Sequence, residues 1–123
     1  MGDSMSLIKS NNITNVAGGI PTVKGQQLIP TAWVNFNGTS TVAIRDSENI
    51  SSLVDDATGR YTVNFATAAA NANYSAVVSG NASTSNRSLA STATSSFTIY
   101  VRNDAGTFTD ASIVTAAVLG GQS

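Results

Sequence analysis

Cysteine and histidine are both missing from this sequence of 123 residues. Without them the chain has no disulfide, no Cys or His nucleophile paired with a base, no histidine pH switch and none of the usual zinc or haem ligand sets. Charge is scarce too. Six Lys and Arg against seven Asp and Glu leave a net charge of −1, with 11% of residues charged. That is far from the basic footprint that neutralises phosphates, so nucleic acid is not an expected partner. No apolar run approaches the ~18 residues needed to cross a bilayer, and the first residues lack the basic and apolar regions of a leader, so no membrane insertion is expected. In place of charge the chain carries Ser, Thr, Asn and Gly, with enough Val, Ile, Phe and Tyr to argue against disorder. A chain of this length supports one modest core, and the composition suits an all-β extracellular or virion protein.

The stretch from Thr31 to Arg45 sets the pattern. Two runs of alternating apolar and polar residues flank Asn37-Gly38, a pair that readily takes the positive φ angles of a tight hairpin turn. Ala32, Val34 and Phe36 share one face of the first run, which puts Trp33, the single tryptophan, on the otherwise polar face with Asn35 and Asn37. A large aromatic there calls for a covering surface, either another sheet of the same chain or another copy of it.

Residues 1–30 read as an extended N-terminal arm and 31–123 as a β domain. In the arm Ile13, Val16, Ile20 and Val23 recur at helical spacing, but Gly18-Gly19 and Pro21 oppose a helix. An extended arm cannot bury these side chains by itself, so it lies along the domain or winds with arms of other chains. Beyond the hairpin, Arg45–Asn49 reads as a charged connection, and Ile50–Val54 and Arg60–Phe65 as strands about an Asp55–Gly59 turn. Ala66–Ala72 reads as a turn and Tyr74–Ser79 as a strand. The next strong strand has Phe97, Ile99 and Val101 alternating with Thr98, Tyr100 and Arg102. Asn103–Gly106 turns the chain, and Ser112–Leu119 is a last strand. About seven short strands predict a small antiparallel β-sandwich. Gly80–Ser91 holds almost nothing that packs and reads as a loop.

Ala32-Trp33-Val34-Asn35-Phe36-Asn37-Gly38-Thr39, Thr41–Arg45, Thr58-Gly59 with Tyr61–Phe65, Ala72-Asn73-Tyr74, and Asp110 with Ser112-Ile113-Val114 occur in an order and spacing that carry a resemblance. From Thr31 to Leu119 the chain resembles a domain at the C-terminal end of many bacteriophage tail fibre and related virion appendage proteins. It departs from that pattern at Glu48, Arg60 and Ala70, where an aromatic, an acid and a proline are common. The resemblance implies a non-enzymatic fibre protein on the virion surface, extracellular after release. It implies assembly as a homotrimer around a fibre axis; the apolar surface of the arm and of Trp33, read from the residues themselves, makes Ile13, Val16, Ile20, Val23 and Trp33 the candidate interface residues. The arm would join other virion proteins. Host attachment implies a cell-surface glycan or protein as partner, and the polar loop, read from its composition, supplies the candidate contacts Asn81, Ser83, Thr84, Ser85, Asn86, Arg87 and Ser88, with Arg87 able to fork onto a phosphate or carboxylate. The alternative is a purely structural virion component, such as a capsid fibre or decoration knob, that binds no receptor. A chain of this length lacks the long shaft of a complete tail fibre, which favours a small accessory fibre or a C-terminal fragment.

The paired carboxylates Asp46 with Glu48 and Asp55 with Asp56 have the composition of a glycosidase pair. They fall in or beside predicted turns, where Asp bonds nearby backbone, and away from aromatics that would line a sugar cleft. No catalytic residue, metal ligand or cofactor is expected. The Asp55-Asp56 spacing fits no defined calcium loop.

Overall fold

The computed structural model describes residues 9–14, 16–17, 29–81 and 85–122. Eight strands run in chain order: β1 Ala32–Asn37, β2 Ala43–Glu48, β3 Ile50–Ala57, β4 Arg60–Phe65, β5 Ser75–Gly80, β6 Ser85–Thr92, β7 Ser96–Asn103 and β8 Val114–Leu119. They form two antiparallel sheets, ordered β2-β1-β8-β5 and β3-β4-β7-β6. No helix occurs among the described residues.

Alternation decides which face of each sheet is buried. Ala32, Val34 and Phe36 of β1 and Val114, Ala116 and Val118 of β8 point into one core, where they meet Tyr61, Val63 and Phe65 of β4 and Phe97, Ile99 and Val101 of β7. These four are the central strands. The rings interlock across the gap, with Phe36 edge-on to Tyr61 at 5.1 Å and Tyr74 edge-on to Phe65 at 5.5 Å, a geometry aromatic pairs favour. The all-β sandwich read from the sequence is therefore present.

Three details differ from the sequence reading. The β1–β2 hairpin exists, but its connection is longer than a two-residue turn and the positive φ falls at Ser40 (54°), not at Asn37 or Gly38. Gly38 answers a different need: a Cβ there would lie 2.5 Å from the Tyr61 hydroxyl and 2.7 Å from the Ala111 carbonyl oxygen. The Arg45–Asn49 connection is mostly strand, since β2 runs to Glu48. Asn49, at φ 57°, turns the chain to the other sheet, its side-chain amide donating to the carbonyls of Thr31 and Thr67 at 3.1 and 3.2 Å. The polar loop drawn over Gly80–Ser91 contains β6, an eighth strand.

Tyr61 holds the hairpin end of the sandwich together. Its hydroxyl sits 2.7 Å from the Gly38 carbonyl and 2.8 Å from Asp110 Oδ1, while the Gly59 amide donates to the same carboxylate oxygen at 2.9 Å. Burial, then the bond to Asp110, then the negative charges of Asp110 and Asp55 push the Tyr61 pKa far above the usual phenol value. The unfolded chain loses this proton near pH 10, whereas the folded chain keeps it. Above pH 10 the unfolded state therefore binds fewer protons, and stability falls by about 1.4 kcal/mol per pH unit for this one group, having been fully present below pH 10. Urea midpoints between pH 8 and 11 are expected to drop more steeply for the wild type than for Tyr61→Phe. Equal slopes would mean that the phenol is not confined.

Candidate functional site

The outer face of the β3-β4-β7-β6 sheet carries a cluster of two arginines and two rings. Tyr100 and Arg102 lie two residues apart on β7 and share its outward face, opposite the buried Ile99 and Val101. Antiparallel pairing sets Arg60 of β4 beside Tyr100, and Ser88 and Asn86 of β6 beside Tyr100 and Arg102. Phe108 arrives from the connection after β7. Asn103 Oδ1 accepts the amides of Ala105 and Thr107, both at 3.0 Å, which folds the chain back until Phe108 bridges to Arg102. Its ring then stands edge-on to Tyr100 at 5.2 Å.

Both guanidinium groups rest on these rings. Arg60 lies 4.1 Å from the Phe108 centroid and 5.8 Å from that of Tyr100, and Arg102 lies 4.5 and 5.3 Å from the same two. Each such contact is worth about 0.5–1 kcal/mol at an exposed site. Among the described residues these arginines meet rings, not carboxylates.

Their placement is fixed from beneath. The Val101 amide donates to the Gly59 carbonyl at 2.8 Å, and the Thr109 amide to the Val101 carbonyl at 3.1 Å. Gly59, Val101 and Thr109 are the chain neighbours of Arg60, Arg102 and Phe108, so one buried knot positions all three outward side chains.

The segment chosen from sequence for receptor contact is divided by the fold. Ser83 and Thr84 lie outside the described residues, as does the side chain of Ser85. Asn86 and Ser88 are exposed and adjoin the arginine cluster. Arg87 is not on an exposed loop. It alternates to the other face of β6, half-buried, with its Nε where a Cβ on Gly80 would come within 2.5 Å, and this burial lowers its pKa. Asn81 is exposed at the end of β5 but engaged: its side chain accepts the Ile113 amide at 2.9 Å and donates to Ser112 Oγ at 2.8 Å.

Sequence reading missed Arg60, Tyr100, Arg102 and Phe108. One signal was present, an aromatic and an arginine two apart on the wet face of a well-patterned strand. The partners were not legible, because cross-strand register and the fold-back of Phe108 bring them in.

On the opposite sheet Trp33 does face outward, 38% exposed. The second sheet packs against the other side of β1, so the covering by a second sheet that sequence offered does not occur. Register places Glu48, Trp33, Ala117 and Val77 in one row across β2, β1, β8 and β5, with Leu119 one step along. Val77 and Leu119 are 63% and 44% exposed. Of the arm residues, Ile13 and Val16 are exposed, while Ile20 and Val23 lie outside the described residues.

The carboxylate pairs lie on strands β2 and β3 rather than in turns, and one member of each makes a local bond. Asp46 accepts the Ser47 amide at 2.9 Å, and Asp56 accepts from the Thr62 hydroxyl. Among the described residues no group of three carboxylates, thiols or imidazoles could hold a metal. Comparison with family models, curated proteins and solved structures returns no match.

Proposed function

We propose that the chain is the non-enzymatic head of a bacteriophage fibre, trimeric on the virion surface and serving host attachment. The observation that carries this reading is the apolar row Trp33-Ala117-Val77 with Leu119, which faces away from the sandwich core. A tryptophan and two large aliphatic side chains in a contiguous outward band suit an interface between copies of the chain. The threefold symmetry and the virion context come from the resemblance of the hairpin, Thr58-Gly59 and Asp110 motifs to fibre domains. The arginine cluster on the opposite sheet favours attachment over a purely structural role, because it leaves fork-shaped donors in water.

Light scattering at micromolar concentration should give three times the 12.5 kDa chain mass. The double variant Trp33→Ser, Val77→Ser should weaken the assembly by about 1.5–3 kcal/mol for each large side chain withdrawn from burial. Trp33 is the sole tryptophan, so its emission should move to longer wavelength as wild-type trimers dissociate on dilution. A single-chain mass at micromolar concentration would overturn the assembly. Failure of the purified protein to compete with virions for host cells would overturn attachment.

A further inference from the structure

We infer that Arg60 and Arg102, seated on Phe108 and Tyr100, form a binding site for the acidic group of a sugar, a carboxylate or a phosphate. This deepens the attachment reading above and rests on it, naming the class of ligand the head would take.

Two guanidinium groups share one ring as neighbour, at 4.1 and 4.5 Å from its centroid. Their separation can be no greater than the sum of those distances, which places both charges within reach of one small ligand. A guanidinium that rests its face on a ring keeps its N–H groups at its edge, and that planar edge matches a carboxylate or phosphate in a paired, forked arrangement. Rings and knot hold the arginines before a ligand arrives, so binding orders few further rotatable bonds. Two like charges within that distance also repel, and an anion bound by both offsets this.

The surroundings favour a saccharide as the carrier of the charge. The site is a sheet face rather than a deep cavity, with Arg60, Asn86 and Ser88 exposed and Tyr100, Arg102 and Phe108 half-buried. Exposed hydroxyl and amide groups of Ser88 and Asn86 lie on the strand next to that of Arg102 and suit sugar hydroxyls. A net charge of −1 for the whole chain gives no long-range attraction for a nucleic acid backbone. Asp56, engaged with Thr62 one position along the same face of β4, bounds the cationic area on that side.

The experiment titrates the full chain, its arginine Nε signals followed by NMR, with sodium glucuronate, glucose 6-phosphate, glucose and sodium sulfate. Glucuronate or glucose 6-phosphate should move the Arg60 and Arg102 signals with millimolar affinity, and glucose should not. The tighter of the two acids assigns carboxylate or phosphate as the natural group. Arg60→Gln should weaken binding at least tenfold, and Arg60→Lys, which keeps the charge and loses the fork, should fall between. Arg60 is exposed, so both variants should melt as the wild type does. Equal response to glucose and glucuronate, or unchanged affinity in a folded Arg60→Gln, would overturn the site. Sulfate binding as tightly as either acidic sugar would overturn the saccharide. A protein that competes for host cells while ignoring both acids would overturn this ligand class and leave attachment standing, whereas acid binding without cell competition would do the reverse.

Discussion

Gly59→Ala is expected to cost at least about 3 kcal/mol, combining strain at a positive φ with backbone displacement. Gly59 has φ 68° at the β3–β4 turn, where an L side chain is strained. The larger contribution is spatial. A Cβ at this position would lie 2.4 Å from the Val101 carbonyl oxygen and 2.8 Å from both the Thr109 nitrogen and oxygen, all of them backbone atoms. Nothing flexible can move aside, so the knot must open and the Val101-to-Gly59 bond must lengthen. Gly106 provides the control. It has φ 82° but nothing within 4 Å of an added Cβ, so Gly106→Ala should cost only the conformational strain, about 1 kcal/mol. Urea unfolding of the two variants should differ by at least twofold in lost stability. Equal losses would mean that the Gly59 turn is not closed as described. Because the same knot sets Arg60, Arg102 and Phe108, any folded Gly59→Ala protein should also bind acidic sugars more weakly than wild type.

Much of the sandwich was legible because its central strands carry their own pattern. Tyr61-Thr62-Val63-Asn64-Phe65 and Phe97-Thr98-Ile99-Tyr100-Val101 alternate cleanly, since each is buried on one face by the opposite sheet. β6 was not legible for the complementary reason. It is an edge strand held by backbone pairing to β7, and Leu89 is its single large apolar residue packed against the core. Backbone hydrogen bonds leave no mark in side-chain composition, so most of β6 falls inside the loop that Gly80–Ser91 suggests. That error also placed Arg87 in solvent, where alternation along a strand turns it inward. Asn86 and Ser88 lie beside the arginine cluster as residues of a strand, not of the loop their composition suggests. The hairpin glycine was recognised for the wrong physical reason, conformational freedom in place of close approach to Tyr61. Arg60, noted as a departure from the fibre-domain pattern, gains its role from pairing opposite Tyr100, a register no local motif encodes.

Phe97→Ala is expected to be the most damaging core truncation at the other end of the sandwich, costing about 3–5 kcal/mol. Phe97 is 1% exposed on the central strand β7, and its ring meets Phe65 at 5.6 Å and Tyr74 at 6.5 Å. Tyr74 in turn reaches across to the β6–β7 connection, its hydroxyl 2.8 Å from the Ala93 carbonyl and 2.9 Å from that of Ser96. Removing the Phe97 ring therefore opens a void beside Phe65 of β4 and takes from Tyr74 one of its two ring neighbours. The loss is a large fraction of the ~5–15 kcal/mol by which small domains are stable. Thermal unfolding should shift downward by ~4–8 °C for each kcal/mol lost, as for other domains near this size. Phe97→Leu keeps most of the apolar volume and should cost less than half as much. Val54→Ala, at a position 43% exposed on β3, should stay within about 0.5 kcal/mol of wild type, as surface changes usually do. A Phe97→Ala protein that melts within a few degrees of wild type would contradict a core in which this ring joins the two sheets.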